Sequence, residues 1–153
     1  MNRRPLLLAG GAALLAGCAA PSPADYAAER PLLDLKTYFN GKLTGYGAVS
    51  DRSGKVRRRF VVAITGTWKG DDGELDERFT YSDGKTEQRI WRIRHLGGGR
   101  YSGRADDVVG EAAGMASGNA LNWRYTLRVQ MDDRTIDLDF DDWMLLIDER
   151  VML

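Results

Sequence analysis

Cysteine is almost missing from this 153-residue chain: Cys18 stands alone, which excludes an intrachain disulfide and a cysteine-rich zinc site. Histidine is also single. Zinc coordination and any serine–histidine or cysteine–histidine chemistry would depend on His95 alone. An excess of one charge sign is lacking, since 22 Lys and Arg balance 22 Asp and Glu, so no electrostatic footprint for nucleic acid exists. No run approaches the roughly twenty apolar residues that a membrane-crossing helix needs. Proline does not occur between Leu32 and Leu153. What is present is ordinary for one folded domain: 29% charged and 43% hydrophobic residues exclude wholesale disorder.

The first residues carry an export pattern. Met1, Asn2, Arg3 and Arg4 form a basic head, and Leu6 to Ala16 follow as an uncharged, mostly apolar stretch too short to span a bilayer. The stretch ends Leu15-Ala16-Gly17-Cys18, which resembles the lipobox of bacterial lipoproteins. Residues 1–17 are therefore read as a signal peptide cleaved between Gly17 and Cys18, with Cys18 as the lipid attachment point. Several acyl chains, at ~0.8 kcal/mol per buried CH₂, hold far more firmly than one. Ala19 in place of Asp favours the outer membrane and its periplasmic face. Arg3-Arg4 weakly resembles a twin-arginine signal, although paired basic residues are routine in such heads. Residues 18–31, with three of the four prolines, read as a lipidated tether, and 32–153 as the folded domain.

Within that domain the apolar period is two. Phe60, Val62, Ile64, Gly66 and Trp68 share a face; so do Leu75, Phe79 and Tyr81; so do Leu121, Trp123, Tyr125 and Leu127; so do Ile136, Leu138 and Phe140. Short turn signals separate them, among them Asp83-Gly84, Gly97-Gly98-Gly99 and Ser117-Gly118-Asn119. The prediction is an all-β, antiparallel, up-and-down lipocalin- or calycin-like barrel of about eight strands, with one short helix near Ala24 to Asp34. At the C-terminus Trp143 to Ile147 is apolar on both faces, Asp148-Glu149-Arg150 reads as a turn, and Val151-Met152-Leu153 begins another strand. Three residues do not complete a strand, so the barrel is expected to be incompletely closed there.

Few residues carry chemistry. No serine sits in a nucleophile elbow, and Cys18 is consumed by the anchor, so no catalytic residue, metal or cofactor is expected. Asp137, Asp139, Asp141 and Asp142, with Asp132 and Asp133, form an acidic patch that reads first as a solvated strand face and second as a Ca²⁺ site. Arg52, Lys55, Arg57, Arg58 and Arg59 form a basic hairpin, either solvated or facing anionic headgroups. Arg58, Glu77 and Arg89 lie on otherwise apolar faces, where charges must pair or line a wet cavity. With Trp68, Tyr81, Trp91 and Trp123 they are the candidate ligand-binding set. Gly110, Ala112, Gly114, Ala116 and Gly118 leave one strand face bare, to be covered by the chain's own packing or by a ligand.

Four segments in combination, Phe39-Asn40-Gly41-Lys42-Leu43-Thr44-Gly45-Tyr46-Gly47, Asp106-Asp107-Val108-Val109-Gly110-Glu111-Ala112, Gly118-Asn119-Ala120-Leu121-Asn122-Trp123 and Asp141-Asp142-Trp143-Met144, resemble a family of bacterial envelope lipoproteins known as a domain of unknown function. The resemblance implies a calycin-type barrel and a further strand beyond the position of Leu153, whose addition would raise solubility and stability. It supplies no activity. The expected function is non-enzymatic binding of an apolar or amphipathic small molecule at the membrane held by Cys18. The alternative is a structural or interaction protein of the envelope with a filled barrel; a hydrolase ranks third.

Overall fold

In a computed structural model that describes residues 20–130 and 133–153, eight strands follow one another as a single antiparallel meander. They are β1 (Gly41–Ser50), β2 (Val56–Lys69), β3 (Asp72–Tyr81), β4 (Thr86–Gly97), β5 (Arg100–Arg104), β6 (Val108–Ser117), β7 (Ala120–Gln130) and β8 (Thr135–Leu145). Each pairs with its neighbour in sequence, and β1 and β8 do not pair with each other. The sheet curls into an open half-barrel, as the incompletely closed barrel expected from the sequence requires.

The last residues fold back against the end of β8. Asp148 accepts hydrogen bonds from the Arg150 and Val151 amides, which turns the chain back. Leu145 and Leu153 then exchange backbone hydrogen bonds, and Leu146 bridges Met152.

The helix does not lie near Ala24 to Asp34, where it is expected. Pro23–Tyr26 makes only a 3₁₀ turn, and the α-helix, α1, spans Leu35–Tyr38. Asp34 is the reason: its carboxylate accepts from the Lys36 amide at 3.3 Å and the Thr37 hydroxyl at 2.8 Å, the capping pattern of a helix N-terminus. The Tyr101 hydroxyl donates to the same carboxylate at 3.2 Å, which ties α1 to β5. Part of the expected tether also lies on the barrel. Tyr26 stacks obliquely on Trp143 at 5.8 Å, and just after the tether the Leu33 amide donates to the Gly118 carbonyl.

Residues 26–40 thus close one end of the half-barrel, beside the β2–β3, β4–β5 and β6–β7 turns. Lys36 pairs with Asp71 in the first of these turns at 3.1 Å. Leu33 and Leu35 are buried there with Leu75, Trp91, Ile93, Tyr101, Ala112, Leu121, Trp123 and Leu146. Removing these side chains from water is the main stabilising term of the fold.

The bare face is shorter than its five-residue spacing implies. Gly110 sits at a register shift in β6 with φ +75°, and Gly118 lies in the β6–β7 turn with φ +58°. Only Ala112, Gly114 and Ala116 keep the inward alternation. Gly114 pairs directly with Trp123, whose ring occupies the space that a side chain at Gly114 would take. The protein's own tryptophan therefore covers the face. Gly114→Leu is expected to destabilise by about 1–3 kcal/mol through overpacking. An unchanged midpoint in urea titration would show that the Trp123 ring yields freely.

Candidate functional site

The inward faces of β1, β2, β3, β4, β7 and β8 surround a cavity of about 530 Å³. Leu35 and Phe39 form its floor at the closed end, and aliphatic walls come from Leu43, Val62, Ile64 and Leu121. Beyond them lies an aromatic wall. Trp91 meets Trp123 edge-to-face at 5.6 Å and Tyr125 at 5.3 Å, and Tyr125 stacks on Phe140 at 5.0 Å. Phe60 and Phe79 continue the wall toward the other end, 5.5 Å apart. Phe60 leans over Gly47, which lacks a side chain to oppose it. Along one side the cavity runs between β1 and the C-terminal Met152 and Leu153.

Three charged groups break the apolar lining. Glu77 and Arg89 are register partners on β3 and β4, with side chains only 15% and 19% exposed and 4.0 Å apart. Arg89 spends its Nε and Nη2 donors on Asp107, at 2.9 and 2.8 Å. Asp142, on β8, accepts from the Tyr125 hydroxyl. Burial is the main cause that raises the Asp142 carboxyl above its ordinary value. Burial also pushes Glu77 up to about 7, and the nearby Asp107 and Asp142 add to the rise. Attraction to Arg89 and a hydrogen bond from Trp91 oppose it.

A folded pKa raised from 4.5 to about 7 has a definite sign in stability. Between those values the folded state binds more protons than the unfolded chain, so stability is present at low pH and is lost as pH rises through 7. A shift of that size corresponds to about 3 kcal/mol at most. Asp34, Asp51, Asp71, Asp76 and Asp141 act in the opposite sense, because their carboxyls are held below 3.8, but only in more acidic solution. Urea stability is therefore expected to fall between about pH 5 and pH 8, and Glu77→Gln to flatten that slope. A wild-type slope of zero over this range contradicts the burial assigned to Glu77.

Of the residues singled out from the sequence, Glu77, Arg89, Trp91 and Trp123 meet on this lining. The Arg–Glu pair inside the barrel is Arg89 with Glu77; Arg58 is not part of it. Arg58 lies over the Tyr81 ring at 3.6 Å and 3.4 Å from Asp83, beyond the aromatic wall. Tyr81 itself belongs to a surface depression with Tyr46 and Val61. Trp68 covers Gly73 and lines a separate polar cleft with Ile93, Arg94 and Arg104. His95 is held by Asp71 at 3.3 Å and lies on Tyr101, outside the cavity. Gly17 and Cys18 lie outside the described residues, as does Asp132.

The acidic patch divides in two. Asp137 pairs with Arg128, Asp139 accepts from Thr126, and Asp141 meets Arg124 and Asn122, all on the outer face. Asp142 turns inward. Its even number places it in phase with Phe140 and Leu138, a signal that was present in the alternation. Asp107, in the β5–β6 turn, had no periodic signal at all. No group of residues suited to hold a metal ion occurs among the described residues. No helix among them is long and apolar enough to cross a membrane.

Residues 12–153 match a family described as a protein of unknown function, DUF3833. No curated protein and no solved structure matches the chain.

Proposed function

We propose, from the premise that the chain belongs to the DUF3833 family of proteins of unknown function, that it is a non-enzymatic envelope lipoprotein whose half-barrel holds an apolar or amphipathic small molecule. The observation that carries this reading is the 530 Å³ cavity with aliphatic and aromatic walls. Binding sites for small molecules are typically concave, mostly apolar and of this order of size, with a few polar groups that fix orientation. A barrel filled by its own side chains would leave no such space, which weighs against a purely structural role.

The anchor fits the same picture. The segment from Ser22 to Phe39 lies at the closed end, so a tether leading back to Cys18 would leave from that end. The aromatic end of the cavity would then face away from the membrane that holds the protein, on the periplasmic side of the outer membrane. Native mass spectrometry of the protein released from its own envelope in mild detergent tests the reading. The expected result is a population carrying an added mass of a few hundred daltons, removable by organic extraction. A single mass equal to protein plus anchor, under every mild condition, would overturn it.

A further inference from the structure

We propose that the cavity selects apolar molecules ending in a hydrogen-bond donor of neutral or positive charge, an alcohol or an amine, over those ending in a carboxylate. This rests on the binding reading above and adds the chemistry of the ligand's polar end. The argument is an inventory of what the lining offers. Its charged groups are Glu77, Arg89 and Asp142, two potential anions against one cation. The cation is already engaged: Arg89 gives Nε and Nη2 to Asp107 at 2.8 to 3.1 Å and turns Nη1 toward Glu77 at 4.0 Å. An incoming carboxylate would find only the Nη1 side of Arg89, which already faces Glu77, and would approach two acidic side chains of its own sign.

Acceptors, by contrast, are left over. A carboxylate has about four acceptor positions. Glu77 receives one hydrogen bond from Trp91, and Asp142 one from Tyr125. Both sit on the polar stretch between the aliphatic floor and the Phe60–Phe79–Phe140 end. A donor group held there satisfies partly buried acceptors, while the attached chain or ring covers the walls.

Protonation tunes the preference. The groups facing Glu77 are Arg89 and Trp91 on its neighbouring strand, Asp107 from the β5–β6 turn, and Asp142 with Tyr125 from the opposite wall. Above neutrality Glu77 is ionised and favours an amine most. Below it Glu77 is neutral, and the preference for an amine over an alcohol shrinks.

Competition against the neutral fluorophore N-phenyl-1-naphthylamine tests this, on the full chain carrying Cys18→Ser so that anchor acyl chains stay out of the assay. At about pH 8, dodecylamine and dodecanol are expected to displace the fluorophore at concentrations about tenfold or more below dodecanoate. Glu77→Gln with Asp142→Asn should lose the advantage of the amine, read as the ratio of displacing concentrations of dodecylamine and dodecanoate on that variant. If the variant takes up no fluorophore, the wild-type competition series decides alone. Displacement by dodecanoate as good as that by the amine overturns the inference and leaves the binding reading standing. Absence of fluorophore uptake by the wild-type chain overturns both.

Discussion

Trp123→Ala is expected to remove about 3–5 kcal/mol of stability, the upper range for loss of a buried aromatic side chain. Trp123 is 5% exposed, and its ring is laid across two neighbouring strands that offer no side chain at the contact points. It covers Gly114 on β6, and a side chain at Gly103 on β5 would come within 2.6 Å of it. It then meets Trp91 on β4 edge-to-face. Glycine backbones do not swell to fill the vacancy, and the existing cavity lies beside it, so collapse is hindered. A domain of this size has roughly 5–15 kcal/mol in total, so the loss is a large share. Urea titration should show a lowered midpoint with little change in slope. A loss below about 1 kcal/mol would show that Trp123 does not join β4 to β7 as described.

Cys18→Ser is expected to abolish membrane attachment. Here the claim rests on the Leu15-Ala16-Gly17-Cys18 sequence and on there being no other cysteine to carry a thioether. Each acyl CH₂ buried in the bilayer contributes ~0.8 kcal/mol, so a diacylglyceryl group and an acylated amine on Cys18 would supply nearly all of the binding. Serine has no thiol to form the thioether. The variant should accumulate either as an uncleaved precursor or as soluble protein in a membrane flotation gradient. Processing after Gly17 together with flotation on membranes would show that the protein is not a lipoprotein of this kind.

The fold was legible where alternation is strict. Phe60, Val62 and Ile64, or Trp123, Tyr125 and Leu127, announce strands because period-two burial has no other cheap explanation. Glu77 between Leu75 and Phe79, and Arg89 two before Trp91, stood out because a charge in phase with an apolar face must find a partner. That partner was harder to read. Asp107 lies in a turn, where no period applies, and its contact with Arg89 spans 18 positions of sequence. Asp142 was hidden by company: with Asp137, Asp139 and Asp141 it looks like one patch, and only its even number separates the inward carboxylate from the outward three. The short helix lies beyond its expected place near Ala24 to Asp34 because the Asp34 cap decides where it starts. Arg58, Trp68 and Tyr81 show the reach of parity. It names the face but not the height along the barrel, and these three sit above or below the cavity.

The central claim, that the half-barrel cavity is a binding site, is tested most directly by contact quenching of its own tryptophans. Trp91 and Trp123 line the cavity, whereas Trp68 and Trp143 lie outside it. A long-chain alcohol brominated along its chain should quench wild-type emission with saturation. It should quench a Trp91→Phe, Trp123→Phe variant, which keeps the two outer tryptophans, far less. Equal quenching of both proteins, or quenching that rises linearly without saturation, would contradict the account.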